Sequence, residues 1–302
     1  MKRDHAGISG GAVVKIFFVA AVFWAGAPSL SSQTLSFAGD GAASHRPPIA
    51  SVCDDATQAS AAGAALRLVC QNGTSAQGVP SPAQVMVIGF VGGFVSPDDL
   101  KHPEVLFASY LRERYSLQAK VFSNHNGKKA VRYATLHLDA DHNGVLSEAE
   151  KKSARIVVYG HSWGASETEA FARELGRRGI PVLLTIQLDT ITRFLEDPFR
   201  IPSNVVSAVN FYQSDGLLRG GSEIVASDTA RTAILGNFRS TYDQKPINCD
   251  NYPWLVRTLN RPHHELENDP NVWYRIASLI DAVIVGHDLA DIPVARTAIA
   301  VN

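Results

Sequence analysis

Arg155-Ile156-Val157-Val158-Tyr159-Gly160-His161-Ser162-Trp163-Gly164-Ala165 runs from an apolar β-type segment, through a G-x-S-x-G pentapeptide, into a segment patterned as a helix, Ala165 to Leu175. A serine placed on such a strand-to-helix turn is the pattern of a nucleophile elbow. The turn forces the serine into a strained backbone conformation and crowds its neighbours. Gly160 and Gly164 leave room that a Cβ would fill. With three fixed positions the pentapeptide is a weak signal by itself, and the flanking strand and helix make it specific.

Outward from the elbow, strand-type and helix-type segments alternate. Upstream, Val85 to Ile88 reads as a strand ending in Gly89-Phe90-Val91-Gly92-Gly93. A helix follows from about Pro103, with Leu106, Phe107, Tyr110 and Leu111 on one face. Ala119 to Ser123 is the next strand, and a short helix starts near Lys129. Downstream, Gly176 is placed to cap the elbow helix. Pro181 to Leu188 is nearly continuously apolar, as a strand buried on both faces should be. Val205 to Tyr212 and Thr232 to Leu235 are weaker strand candidates, and a last helix spans about Asn271 to Ile284. This alternation predicts the α/β class, with a mostly parallel central sheet flanked by helices over residues 83–286 and a tail at 287–302.

The 302 residues carry a formal net charge of −1 and 45% hydrophobic residues. Neither charge blocks nor aromatic–basic interleaving is present, so nucleic acid is excluded as an expected partner. Lys2 and Arg3 precede an apolar stretch, Ile16 to Ala27, followed by small residues. That stretch falls short of the roughly 20 residues a bilayer span needs, and it suits a signal peptide over 1–28. The expectation is a secreted or periplasmic protein with no stable membrane span after cleavage. Residues 29–82, rich in Ala, Ser, Gly, Gln and Pro, read as a flexible arm, with a helix-like patch at Gln58 to Val69. Three cysteines in an exported chain leave one over. Cys53 and Cys70 form one local pairing, and Cys249 in place of either is the other.

Ser162 requires a base, because a serine hydroxyl is a poor nucleophile at neutral pH. In this topology the acid and the histidine follow the serine in chain order. Of ten histidines, that rule leaves His263, His264 and His287. His287 lies beyond the last helix, whereas His263 and His264 are expected on the loop before it. Asp189 directly follows the strongest downstream strand, where open α/β sheets collect their site residues. Its bland alternative is a turn or helix-capping aspartate, and Asp197, Asp215 and Asp228 are the other candidate acids. Two backbone N–H groups should stabilise a developing oxyanion, one from Trp163 and one from Phe90 or Val91 in the glycine-rich turn.

A second motif lies upstream of the elbow. Asp139-Ala140-Asp141-His142-Asn143-Gly144-Val145-Leu146-Ser147-Glu148-Ala149-Glu150 matches the EF-hand calcium loop at each informative position. Asp139, Asp141 and Asn143 offer side-chain oxygens, Val145 its carbonyl, Ser147 its hydroxyl or a bridging water, and Glu150 a bidentate carboxylate. The loop is single, which favours a structural Ca2+ over a switch. No organic cofactor is implied.

Together these residues resemble the α/β-hydrolase superfamily over roughly residues 83–286, and within it secreted bacterial lipase-, esterase- and thioesterase-like enzymes. Asn204-Val205 through Asn210-Phe211-Tyr212-Gln213, then Arg219-Gly220, then His263-x-x-Leu266-Glu267 look like a bacterial group in which a histidine precedes an Ile/Leu-acid pair. That spacing prefers His263 over His264. The superfamily's acid usually follows a later strand than the one Asp189 follows. The resemblance implies a serine esterase with catalytic Ser162, Asp189 and His263, an oxyanion hole at Phe90 and Trp163, and a small-molecule or lipid ester as substrate. Residues 190–203 are the expected cap. The alternative is a catalytically silent hydrolase fold serving as a calcium-dependent binding protein.

Overall fold

The computed structural model describes residues 85–193, 197–289 and 292. The expected signal peptide, the arm with Cys53, Cys70 and the Gln58–Val69 patch, and most of the tail lie outside the described residues. In chain order the described strands are β1 (Met86–Val91), β2 (Gln118–Ser123), β3 (Ile156–His161), β4 (Val182–Leu188), β5 (Arg200–Ile201), β6 (Val205–Tyr212), β7 (Val225–Ala226) and β8 (Ala233–Arg239). The helices are α1 (Pro103–Tyr115), α2 (Gly127–Leu138), α3 (Glu148–Ser153), α4 (Trp163–Arg177), α5 (Trp254–Leu259), α6 (Arg261–Asn268) and α7 (Pro270–Val285).

Six strands form one sheet in the order β2-β1-β3-β4-β6-β8, with every pairing parallel. β5 and β7 pair separately. Alternation along the central strands sends side chains to opposite faces and builds two cores. Val87, Val157, Tyr159, Leu184 and Ile186 meet Phe107 of α1 and Trp273 and Ile276 of α7 on one face. Ile88, Phe90, Ile156 and Val158 meet Val131 of α2 and Phe171 and Leu175 of α4 on the other. Burial on both faces explains why β3 and β4 read as unbroken apolar runs. The sheet and its two helical layers are the α/β-hydrolase arrangement.

Local expectations shift at three places. β1 continues past Gly89 to Val91, because Gly89 lies under the Tyr159 ring, where a Cβ would stand 2.6 Å from Cζ. The glycine relieves a close approach inside the strand and does not end it. α4 runs through Gly176, which packs on Asn204, and the left-handed glycine after the helix is Gly179, with φ of 74°. The weak strand at Thr232 is the longer β8. Among the described residues, no helix is long and apolar enough to cross a membrane.

Candidate active site

Ser162 joins β3 to α4 with φ 58° and ψ −121°. A side chain in this region costs on the order of 1–3 kcal/mol, and packing must hold it there. The backbone supplies that hold. Ser162 N–H donates to Leu188 O at 2.9 Å, while Ser162 O accepts from Ala165 N–H at 3.1 Å and Ile191 N–H at 3.3 Å. A Cβ on Gly160 would lie 2.4 Å from Gly164 O, and one on Gly164 would lie 2.2 Å from Phe90 O. The glycines are therefore steric requirements of this turn.

Asp189, at the end of β4, is the second residue with a left-handed backbone here, φ 42°. Its carboxylate is fully buried and accepts four hydrogen bonds. Oδ2 accepts from His263 Nδ1 at 2.6 Å and Gln213 Nε2 at 2.7 Å. Oδ1 accepts from Gly220 N–H at 2.9 Å and Gln213 N–H at 3.3 Å. A Cβ on Gly220 would stand 2.2 Å from Oδ1, so only glycine brings its N–H this close. Because the carboxylate accepts, Nδ1 of His263 carries the proton and Nε2 is left as an acceptor.

Gln213 was not singled out as a site residue from sequence. It follows the last residue of β6, where its side chain and its backbone amide both donate to Asp189. His263 lies in the first turn of α6, not on a loop. His264, one residue on, turns its ring onto Tyr252 with centroids 3.8 Å apart and does not share the Asp189 contact.

Phe90 requires a correction. It lies within β1, paired on both sides with Phe122 and Gly160, and its buried ring packs on Phe171. Its amide belongs to the sheet ladder. The turn that reaches the serine is Gly92 to Phe94, where a Cβ on Gly92 would stand 3.1 Å from Ser162 Cβ. Asn124 Nδ2 pins this turn by donating to Val91 O at 3.1 Å and Gly93 O at 2.6 Å. Trp163 begins α4, so its N–H has no partner within the helix. Its ring meets Phe94 edge-on at 6.0 Å.

Ser162, Trp163 and His263 line one cavity of about 610 Å³. No hydrogen bond between Ser162 Oγ and His263 is found among the described residues. Among the described residues of the expected cap at 190–203, Ile191 lines the cavity, and Asn251, Tyr252, Pro253, Val256 and Asn260 of one segment line it as well. That segment carries α5, with Trp254 69% and Leu259 54% exposed.

No family model and no curated protein matches the chain. Among solved structures it is similar to EstE7, a hormone-sensitive-lipase homologue from a metagenome library, at 14% identity, covering 78% of this chain and 97% of that one, with a TM-score of 0.33. It is similar to a hormone-sensitive lipase from a metagenome library at 13% identity, 78% and 97% coverage and a TM-score of 0.34. RedJ with a PEG molecule bound in the active site matches at 10% identity, 66% and 100% coverage and a TM-score of 0.32. The fold assignment rests on the sheet order and the elbow described above.

Two further polar groups flank the site. Behind Ser162, His102, Glu104, His161, His264 and Glu267 form a buried cluster. Burial pushes Glu267 up to about 7 and, with the Glu267 charge adding, holds Glu104 well above the usual carboxylate range. Burial also pushes His264 down to about 3 and, with His263 adding, holds His161 well below the usual imidazole range.

Ahead of β3, the 139–150 loop joins α2 to α3. Asp139 Oδ1 accepts from Asn143 N–H at 3.1 Å, and Asp139 Oδ2 accepts from Gly144 N–H at 2.8 Å. Glu150 reaches back to accept from Ala140 N–H at 2.7 Å and Ser147 N–H at 2.8 Å. These bonds hold the Glu150 carboxyl below its usual range, the Ser147 amide contributing most. Cys249 is buried, and burial followed by the charges of Glu265 and Glu267 pushes its thiol up to about 12. Its pairing with Cys53 or Cys70 concerns residues outside those described.

Proposed function

We propose that this chain is an exported serine hydrolase that cleaves carboxylic ester or thioester bonds through an acyl-enzyme. One observation carries the reading: the 2.6 Å Asp189–His263 contact on the wall of the cavity that Ser162 enters from a strained turn. Ser162 Oγ attacks the acyl carbonyl while Nε2 of His263 takes its proton. Asp189 keeps the proton on Nδ1 and stabilises the imidazolium once it forms. Unliganded hydrolases commonly leave the serine–histidine bond long until substrate tightens it. The N–H of Trp163 at the start of α4 and the Gly92–Phe94 turn are the groups that hold the oxyanion. His263 then returns the proton to the leaving oxygen or sulfur, and water repeats the attack on the acyl-serine. Phe94, Val95, Ile191, Leu218 and Val256 around the cavity suit an apolar acyl group.

The Lys2–Arg3 and Ile16–Ala27 pattern supports export, and an exported protein meets abundant calcium. The 139–150 loop fits that ion. Asp139, Asp141 and Glu150 bring carboxylate oxygens within 4.8 Å of one another, a grouping that repels itself without a cation. His142 and Gly144 take the left-handed turns, φ 56° and 84°. Asp139, Asp141, Asn143, Val145, Ser147 and Glu150 would hold Ca2+, which would clip α2 to α3 ahead of the elbow strand. The ion has no part in bond cleavage.

A fluorophosphonate probe tests the enzyme reading. The folded, calcium-supplied protein should label, and Ser162→Ala should abolish both labelling and hydrolysis of p-nitrophenyl esters. Absence of labelling in folded wild-type protein would reject the reading.

A further inference from the structure

The buried cluster behind Ser162 takes no part in the chemistry above, yet its geometry is that of a ligand set. His102 Nδ1 lies 2.8 Å from Glu267 Oε1. His161 Nδ1 lies 3.6 Å from Glu104 Oε1 and 3.7 Å from Glu267 Oε2. One ligand atom each from His102, Glu104 and Glu267 fall within 4.8 Å of one another. Atoms bound at about 2.1 Å around a tetrahedral ion stand roughly 3.4 Å apart, close to these separations.

The protein satisfies this group only in part, with His102 and the Tyr252 hydroxyl acting on Glu267. Both carboxylate oxygens of Glu104, both nitrogens of His161, both nitrogens of His264 and Oε2 of Glu267 are buried without a hydrogen-bond partner. Buried polar atoms are normally paired, and each orphan costs on the order of 1–3 kcal/mol. A proton shared between Glu104 and Glu267 would satisfy two oxygens and leave the imidazole nitrogens bare. A cation satisfies carboxylate oxygens and imidazole nitrogens at once.

We propose that His102, Glu104, His161 and Glu267 bind one divalent transition-metal ion of the zinc class at the base of the cavity, with His264 beside it. The mixed imidazole and carboxylate donors suit zinc and its neighbours and do not suit calcium, which takes oxygen ligands. The ion ties three elements together: the start of α1 through His102 and Glu104, the end of β3 through His161, and α6 through Glu267. His161 immediately precedes Ser162, and Glu267 shares α6 with His263, so the ion braces both from behind. The site stands whether or not the chain cleaves esters.

The test uses the full chain, stripped with chelator, checked for folding by circular dichroism, and saturated with Ca2+ so that the 139–150 loop is filled. Zn2+ titration followed by dialysis and elemental analysis should leave one zinc per chain. Co2+ should give the visible absorption of a nitrogen- and oxygen-ligated ion. Glu104→Gln and Glu267→Gln keep side-chain shape and should weaken zinc binding by about 100-fold or more. A folded wild-type chain that retains no zinc and gives no Co2+ absorption overturns the proposal. So does undiminished zinc binding in both glutamine variants, and if those variants fail to fold, the wild-type Co2+ spectrum decides.

Discussion

Asp189 and Glu267 are both fully buried carboxyls beside a histidine, and the fold treats them oppositely. Around Asp189 every lone pair that matters is used: a glutamine side chain, two backbone amides and one imidazole converge on it. Around Glu267 one oxygen meets His102 while the other, with six further atoms of its neighbours, has no partner. The two groups touch, since the rings of His161 and His263 lie 4.5 Å apart. The difference shows that burial alone does not define a catalytic acid. A preorganised carboxylate is recognised by the donors the fold aims at it, and the second cluster by buried polar atoms left without a partner.

The largest expected effect tests the satisfied side. Asp189→Asn should lower kcat for ester hydrolysis by about 10³- to 10⁴-fold, because an amide favours the wrong imidazole tautomer. Steady-state kinetics on the folded variant would check it, and a loss under tenfold would remove Asp189 from the mechanism.

The next effect tests the contrast itself. In chelated protein, Asp189→Asn should cost about 1–3 kcal/mol of stability, because an acceptor of four bonds acquires donors in its place. Glu104→Gln should leave the melting temperature unchanged or raised, because in the metal-free chain it breaks no hydrogen bond and its amide can donate to the bare imidazole nitrogens. Thermal unfolding of the two variants side by side decides, and losses of equal size would erase the distinction between the groups.

The smallest effect concerns the exposed acidic loop. Chelating calcium should lower the melting temperature by a few degrees, as loss of a ligand that binds only the folded state does. Turnover per folded molecule should hardly change. If chelation abolished turnover at constant stability, the ion would belong to the chemistry and not to the scaffold.

Legibility in the sequence follows how far apart the interacting residues are. The elbow was readable because its strain and its relief lie within five consecutive residues. The 139–150 pattern is local in the same way, and its calcium remains a proposal. Asp189 is legible from its place after a strand, and chain order narrows the histidine to a few that the resemblance reduces to His263. Gln213 and Gly220 appear there only as part of the resemblance, because their bonds to Asp189 form once β6 and the segment after it fold over it. Phe90 was misplaced because the end of β1 depends on Tyr159 packing over Gly89, a contact between two strands. The wall from Asn251 to Asn260 is not legible because nothing local to that segment reveals that it lines the cavity with Ser162.

The buried cluster is the extreme case. His102 and Glu267 are 165 positions apart in the chain, and no spacing links them. From sequence alone came the α/β class, the elbow at Ser162 and the acidic 139–150 pattern, all encoded by periodicity and short-range sterics. The partners of Asp189, the turn facing the serine, and the second acid–histidine group came only from the fold. They depend on which side chains a parallel sheet brings to one end of its strands, and that is a property of register and packing across elements distant in the chain.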